Sequence, residues 1–185
     1  HRNESAINEM QHSRKHYLLD NINFNKNVSF FSNIDAAVNK ANFIVLAVPS
    51  QNIREVITKA KKHIDPAAII VNVAKGIENE TLKIMSEVIF EVNGDVSNYV
   101  TLSGPSHAEE VVSNMPTAVV AASQNVETSE IVQALFSTNK FRVYTNEDLI
   151  GVEICGSAKN VIAIAAGFCD GFGYGDNTKS ALITR

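Results

Sequence analysis

The sequence predicts an α/β fold with a largely parallel sheet that helices cover on both faces. Two observations support this prediction. Apolar segments of strand length alternate with helical segments as far as Tyr144. Two of these segments, Phe43–Val48 (FIVLAV) and Ala68–Ala74 (AIIVNVA), are continuously apolar, which is typical of strands buried on both faces.

Three elements are predicted before the first of these strands. Asn3–His12 carries Ile7 and Met10 at helical spacing, which predicts a short amphipathic helix. The regular alternation then begins, with a strand at Val28–Phe31 and a helix at Asn33–Ala41.

The elements after Val48 complete the alternation. Ser50 is predicted to cap a helix at Gln51–His63, because a serine hydroxyl can accept a hydrogen bond from the free N–H groups of a first helical turn. The predicted helices are Gln51–His63, Glu80–Glu91, Ser106–Val112 and Val126–Ser137, and the remaining strands are Tyr99–Ser103, Thr117–Ala122 and Phe141–Tyr144.

Beyond Tyr144 the pattern is helical, with Asn146 as the predicted cap. The glycine-rich run Gly171–Gly175 follows an apolar helix rather than a strand, and we interpret it as a hinge or loop. This change of pattern predicts two domains, an α/β domain at 1–144 and the start of a helical domain at 145–185.

One lysine, Lys159, lies inside this apolar helical run. Between Gly151 and Gly175 only Glu153 and Asp170 are also charged. Long cations are seldom buried without a partner. Either another part of the chain supplies that partner or a groove admits an anionic ligand, and we favour the ligand. The residues at helical spacing around the lysine are small, which predicts a shallow groove: Cys155, Gly156, Ala163, Ala166 and Gly167.

Composition limits the class of partner. The net charge of −4 and the pI of about 5.7 argue against nucleic acid or an anionic membrane as the main partner. The longest uncharged apolar run, Val161–Cys169, is far shorter than the roughly 20 residues that span a bilayer, so we expect no transmembrane helix. Cys155 and Cys169 have neither metal-ligand spacing nor the pattern of a disulfide framework, which indicates a reducing cytoplasm.

The chain begins at His1 rather than at methionine, and we expect it to be an internal piece of a longer protein. The GxGxxG motif that normally follows the first strand of a dinucleotide-binding fold does not occur. An amino-terminal truncation would explain this. Arg2 would then follow the second strand, where a basic residue tolerates the 2′-phosphate of NADP.

Three turns that follow predicted strands are candidates for ligand binding, because ligands of open parallel sheets bind beyond the carboxyl ends of the strands. They are Pro49-Ser50, Lys75-Gly76 and Gly104–Ser106. Each has an ordinary alternative. The first can be a simple helix start, the second can hold a solvated loop lysine, and the third can be a common strand-to-helix turn.

No metal site is expected from the histidines. His107 and Glu109 belong to a predicted first helical turn, where an acidic residue complements the helix dipole. His12, His16 and His63 show no metal-ligand spacing.

Four segments carry a resemblance to a known family: VNVAKGIE (Val71–Glu78), LSGPSHAEEV (Leu102–Val111), FRVYTNEDLIGVE (Phe141–Glu153) and GSAKNVIAIAAGFCDGFGYGDNTKSALITR (Gly156–Arg185). They resemble the bacterial NAD(P)-dependent glycerol-3-phosphate dehydrogenases. The resemblance implies a Rossmann-like dinucleotide-binding domain that lacks its first strand, followed by the start of an all-α substrate domain. The family's substrate-phosphate residues would lie beyond Arg185.

The resemblance also implies roles for individual residues. Lys159, in the GSAKN motif, would be the catalytic proton donor or acceptor. Lys75, in the AKG motif, would contact both cofactor and substrate, and Asn160 would orient the substrate beside the catalytic lysine. The other positions would contact ligands only: Gly104 and Ser106 the substrate, and Ala108 and Arg2 the cofactor, which is NAD or NADP.

The implied reaction interconverts dihydroxyacetone phosphate and sn-glycerol 3-phosphate by hydride transfer and supplies glycerol 3-phosphate for glycerophospholipid synthesis. Because the ammonium groups of Lys75 and Lys159 would face one site and repel, we expect the pKa of at least one of them to be lowered. A homodimer is one assembly to test. The alternatives are an inactive nucleotide-binding module and a two-domain dehydrogenase for a 2-hydroxy or 3-hydroxy acid.

Overall fold

The structure, a computed structural model, describes residues 3–16 and 22–184. Its helices are α1 (Glu4–Ser13), α2 (Ile34–Val38), α3 (Ile53–Ala60), α4 (Met85–Asn93), α5 (Ala108–Val112), α6 (Val126–Phe136), α7 (Leu149–Gly171) and α8 (Asp176–Thr184). Its strands are β1 (Phe43–Leu46), β2 (Ile69–Asn72), β3 (Tyr99–Ser103), β4 (Thr117–Ala122) and β5 (Phe141–Asn146). Two short 3₁₀ turns, Ser50–Asn52 and Lys61–His63, flank α3.

The five strands form one sheet in the order β1-β2-β3-β4-β5. The pairs β1–β2, β2–β3 and β4–β5 are parallel, whereas β4 runs antiparallel to β3. The predicted α/β fold is confirmed. The sheet is largely parallel as expected, but it contains one antiparallel pairing that the sequence pattern did not predict.

The antiparallel pairing has a simple cause in the connection between β3 and β4. The helix in that connection, α5, has five residues and is therefore about 7.5 Å long. The five residues of β3 extend over about 17 Å. This short helix returns the chain only part of the way along β3, and β4 starts beside the end of β3 and runs back along it.

Helices cover both faces of the sheet, and each face has its own apolar core. On one face α3, α4 and the first turn of α7 pack around Ile57, Val88 and Leu149. On the other face α6 packs on the sheet through Val132, next to Val71. The prediction that helices cover both faces is confirmed.

The predicted strand at Val28–Phe31 is wrong. The segment follows a turn in which the N–H of Val28 donates to the carbonyl of Asn25. The guanidinium of Arg14 donates to the carbonyl of Val28 at 3.0 Å and lies over the ring of Phe30. A side chain from the end of α1 therefore occupies a backbone group that a neighbouring strand would need.

The helix predicted from Glu80 begins only at Met85. Glu80 and Leu82 both adopt positive φ angles, 67° and 56°, which a helix cannot accommodate. A bridge between Ile77 and Ile84 closes this stretch into a tight loop. The helix starts where the carboxylate of Glu87 accepts a hydrogen bond from the backbone N–H of Ile84.

Two predicted caps are also wrong. Ser50 makes no capping hydrogen bond, because the chain enters α3 through a 3₁₀ turn. Asn146 is the last residue of β5, and the side chain that caps α7 is Asp148, which accepts a hydrogen bond from the N–H of Gly151 at 2.8 Å. The other predicted helices and strands are present, and their ends differ from the predicted ends by a few residues.

The helix α7 is long and apolar. It has 23 residues, and its most apolar window has a mean hydropathy of 1.5, so by length and composition it is able to cross a membrane. The expectation of no transmembrane helix was based only on the longest uncharged run, Val161–Cys169, which is part of α7. A single helix of this kind is weak evidence for a membrane span, because helices of soluble proteins pass the same test. The buried side chain of Glu153, moreover, joins the start of α7 to the sheet.

Candidate functional site

The three predicted ligand-binding turns lie next to one another at the carboxyl ends of β1, β2 and β3. Gly76 has a φ angle of 145°, and a β-carbon on it would overlap the hydroxyl oxygen of Ser50. The Nζ atom of Lys75 donates a hydrogen bond of 2.6 Å to the carbonyl oxygen of Gly104. Each contact joins the turns that follow two neighbouring strands. These turns lie side by side because the strands are parallel.

Lys75 is half-buried and held in place, unlike a solvated loop lysine. Burial lowers the pKa of its ammonium group, and the positive charge of Lys159 lowers it further. The expectation that at least one lysine would have a lowered pKa is therefore confirmed. Because an ammonium group has three N–H donors and Gly104 accepts one, two remain for a ligand.

Lys159 is exposed on α7, which corrects the expectation of a lysine buried in a groove. The reason is that α7 beyond residue 157 extends past the sheet, where α8 is its main neighbour within the described part of the chain. In that same part of the chain, the ammonium of Lys159 has no hydrogen-bond or ion-pair partner. It is near enough to Lys75 for the two charges to interact, and it is accessible to a ligand.

Ser106 and Ala108 line a cavity of about 570 Å³ beside the loop between β3 and β4. Its other walls are mostly apolar, with Phe136, Phe141 and Met115 among them. Leu102 and Val119 in this lining belong to the apolar core on the α6 face of the sheet, and neither Lys75 nor Lys159 lines the cavity.

Glu153 joins α7 to two other elements next to the site, a role that its sequence position did not predict. The residue is 6% exposed, and its carboxylate accepts four hydrogen bonds. One oxygen accepts from the N–H of Ser86 at 3.1 Å and from the Ser86 hydroxyl at 2.7 Å. The other oxygen accepts from the hydroxyls of Tyr99 and Thr101, both at 2.6 Å. Burial, and then the charge of Glu153, raises the pKa of Tyr99 well above its ordinary value, so the phenol remains a donor.

The second contact between α7 and β3 is close enough to require glycine. A β-carbon at Gly156 would lie 2.9 Å from the hydroxyl oxygen of Ser103. Glu153 and Gly156 thus touch β3 in the order in which the strand runs, from Thr101 to Ser103. A small cavity of about 10 Å³, large enough for one water molecule, lies between the two elements. It is lined by Ala74, Lys75, Gly76, Met85, Thr101, Ser103, Glu153, Gly156 and Ser157.

The described residues show no hydrogen bond that supports the roles predicted for Asn160 and Arg2. Asn160 is exposed next to Lys159, and its side chain makes no hydrogen bond within residues 3–16 and 22–184. Arg2 lies outside the described residues. No group of three or more histidine, cysteine or acidic side chains able to hold a metal ion occurs within those ranges.

Comparison with known proteins identifies the family. The model described as NAD-dependent glycerol-3-phosphate dehydrogenase N-terminus matches residues 1–129, and the C-terminus model matches residues 148–185. Glycerol-3-phosphate dehydrogenase (NAD(P)+) of Clostridium perfringens strain SM101 is 49% identical over 188 residues, which cover 100% of this chain and 56% of that protein. The enzyme of Clostridium tetani is 50% identical over 179 residues, covering 97% of this chain and 50% of that protein.

Solved structures of similar proteins agree with this assignment. Glycerol-3-phosphate dehydrogenase from Coxiella burnetii has a TM-score of 0.86 and 36% identity, over 99% of this chain and 56% of that one. The enzyme from Plasmodium falciparum has a TM-score of 0.87 and 25% identity, over 95% and 50% of the two chains. The chain spans about half the length of the curated relatives it matches. With its Rossmann-like fold and both family models matched, it belongs to the NAD-dependent glycerol-3-phosphate dehydrogenase family.

Proposed function

We propose that the whole protein is an NAD(P)-dependent glycerol-3-phosphate dehydrogenase that interconverts dihydroxyacetone phosphate and sn-glycerol 3-phosphate. The observation that best supports this function is the pairing of two lysines at the carboxyl ends of the parallel strands. Lys75 is fixed by its bond to Gly104, and Lys159 is close enough for its charge to lower the pKa of Lys75. Two cations at one site suit a substrate that carries a phosphate and develops negative charge on oxygen.

The two lysines would divide the work. Lys159, which is exposed and has a mobile four-carbon stem, would donate a proton to the alkoxide that forms when the ketone is reduced. Lys75 would direct its two free N–H donors at the substrate oxygen and polarise the carbonyl before reaction. Asn160, beside Lys159, would orient the substrate, and Gly104 and Ser106 would bind it.

The cofactor would be NAD or NADP, which when bound supplies or accepts the hydride. Ala108, at the start of α5, would contact it, and Lys75 would contact it from the turn after β2. Arg2 would favour NADP. Residues 1–144 would form the dinucleotide-binding domain, and residues 145–185 would begin the substrate domain. We further propose a cytoplasmic homodimer that supplies glycerol 3-phosphate for glycerophospholipid synthesis.

The test is whether the whole protein catalyses the oxidation of NADH or NADPH by dihydroxyacetone phosphate. The decrease in absorbance of the reduced nicotinamide measures the rate. We expect turnover that depends on dihydroxyacetone phosphate. The 2-keto and 3-keto acids serve as control substrates. Activity with a keto acid instead would favour a hydroxy-acid dehydrogenase, and binding of NADH or NADPH without turnover would favour an inactive nucleotide-binding module. The relative rates with NADH and NADPH test the preference, and light scattering tests the dimer.

A further inference from the structure

The carboxylate of Glu153 is buried without a cation. No lysine, arginine or histidine among residues 3–16 and 22–184 lies within ion-pair distance of it. Burying a charge in this way is costly unless hydrogen bonds replace the lost water. Here four donors do so, and both carboxylate oxygens are used.

These four donors come from two separate elements. Ser86 belongs to the first turn of α4, and Tyr99 and Thr101 belong to β3. Within the described residues, Glu153 is therefore the only side chain of α7 that is hydrogen-bonded to both α4 and β3. Beyond residue 157 the same helix is mostly exposed and has little contact with the sheet. The position of its later turns depends on the contacts made by its first turns.

Lys159 lies six residues after Glu153 on the same helix, a rise of about 9 Å. Its own side chain has no partner in the described part of the chain, so nothing at Lys159 itself fixes where the ammonium lies. The close approach of Gly156 to Ser103 limits how near the helix can come to β3 but does not pull it inward. The hydrogen bonds of Glu153 and the packing of Leu149 in the core supply that pull, and of these two residues Glu153 is the nearer to Lys159.

We propose that Glu153 is a positioning residue: its buried carboxylate sets the distance between α7 and β3 and so places Lys159 over the carboxyl ends of the strands. The inference rests on the proposed function, since Lys159 is the proton donor of that reaction. Glu153 is not a catalytic residue, because its four bonds to the protein leave neither oxygen facing a ligand. Its length matters more than its charge in this role.

Two variants of the whole protein separate length from charge. Glu153→Gln keeps the length. Its oxygen can accept from Ser86, while its amide donates to the hydroxyls of Tyr99 and Thr101, which are able to accept. Glu153→Asp keeps the charge and shortens the side chain by one methylene. We expect kcat within about threefold of the wild type for Gln. For Asp we expect a decrease of kcat of about 10- to 100-fold, because a small misplacement of a catalytic group strongly lowers the rate.

A matched control is Glu87→Asp, which shortens a carboxylate on α4 that bonds the backbone of Ile84. It should leave kcat unchanged. In the Lys159→Ala background, Glu153→Asp should add less than about a threefold loss, because a positioning residue acts through the lysine. The Michaelis constant for NADH or NADPH should stay the same throughout. Full loss with Gln and activity with Asp would overturn the proposal, and so would additive losses in the double variant.

Crystal structures of the two variants test the placement without activity. In Glu153→Asp, residues 156–159 should move relative to β3 by up to the length of one carbon–carbon bond, about 1.5 Å, and in Glu153→Gln they should not move. An unmoved Lys159 in the Asp variant contradicts the proposal even if kcat decreases. An inactive wild-type protein would instead contradict the proposed function, and the crystal structures would still decide the role of Glu153.

Discussion

Lys75 and Lys159 reach the same site from elements of different rigidity. Lys75 follows a central strand and is fixed by the carbonyl of Gly104, whereas Lys159 projects from an exposed helix. The fixed cation has the lowered pKa, with burial as the first cause and its neighbour's charge as the second. In the proposed reaction, Lys75 would hold a substrate oxygen and Lys159 would move a proton to it.

Replacing Lys159 by alanine in the whole protein should reduce turnover while leaving dinucleotide binding nearly intact. General acid catalysis typically contributes about 10²- to 10⁴-fold, and we expect a decrease of kcat in that range. Steady-state kinetics and titration of NADH fluorescence measure the two properties. Lys62→Ala, at an exposed lysine near the end of α3, is the control. A loss of less than about tenfold would contradict the assignment of Lys159 as the proton donor.

Replacing Lys75 by alanine should weaken both ligands as well as slow the reaction. Charge-assisted hydrogen bonds are worth about 1.5 to 3 kcal/mol, so we expect the Michaelis constants for dinucleotide and for dihydroxyacetone phosphate to rise by about 10-fold or more. Initial rates over a grid of both concentrations give the two constants. If both stay at the wild-type values, Lys75 does not bridge the two ligands.

For individual residues, the sequence predicts which positions belong to the site but not which groups their side chains bond. Lys75 and Gly104 could be singled out because they follow buried strands, and Lys159 because little other charge surrounds it. The role of Glu153 could not be predicted, because its partners Ser86 and Thr101 lie more than fifty residues earlier in the chain. A single carboxylate near the start of an apolar helix was the available signal.

At the scale of elements, the turn after β2 depends on a glycine. Gly76→Ala should destabilise the protein by about 1 to 3 kcal/mol, because φ is 145° and the new β-carbon would overlap Ser50. Gly94→Ala is a matched control, since Gly94 also has positive φ, 84°, but no atom lies within 4 Å of its β-carbon position. It should cost about 1 kcal/mol or less.

Urea unfolding of the two glycine variants measures the difference. The Ser50→Ala background should recover part of the Gly76→Ala loss by removing the overlapping hydroxyl. Equal costs at Gly76 and Gly94 would show that the close approach to Ser50 does not matter.

The elements that were predicted correctly are those whose pattern is local. The strands β1 and β2 and the capped helix α6 follow from apolar runs and a side-chain cap within a few residues. Burial of β1 on both faces was predicted wrongly, because Val45 is exposed. Two of the failures arose from contacts with residues outside the predicted element. Arg14 bonds the carbonyl of Val28 from 14 residues away, and the bridge between Ile77 and Ile84 delays the start of α4. The apolar spacing within each predicted element does not contain that information.

At the scale of the whole molecule, one ion-pair network joins the loop after β2 to two helices. The guanidinium of Arg54 on α3 bonds Glu78 at 2.8 and 2.9 Å, and Glu91 on α4 at 2.8 Å. Hydrogen bonds from Arg54 and then Thr81 lower the pKa of Glu78 to about 2. The ordinary value is 4.5, so the folded state binds this proton less readily than the unfolded state does.

This network predicts how stability depends on pH. The contribution of Glu78 is fully present above pH 4.5 and is lost as the pH falls from there toward about 2. Glu78→Gln should therefore lower the free energy of unfolding by about 1 to 3 kcal/mol at pH 6, and by much less near pH 2. Urea unfolding of wild type and variant at both pH values measures this. A difference that does not depend on pH would contradict the role of the Glu78 charge.

The direction of β4 explains why Lys159 lies about three turns after the start of α7. Because β4 and β5 run against β1, β2 and β3, β5 points away from the two lysines, and its last residue, Asn146, is level with Thr101 in the middle of β3. The helix must then run back along the strands before it can contribute to the site. From Leu149 to Lys159 it rises about 15 Å, close to the length of a five-residue strand. The number of residues in the first turns of α7 thus sets how far along the strands Lys159 lies. Adding or removing a single residue before Lys159 would also rotate the lysine about the helix axis by about 100°.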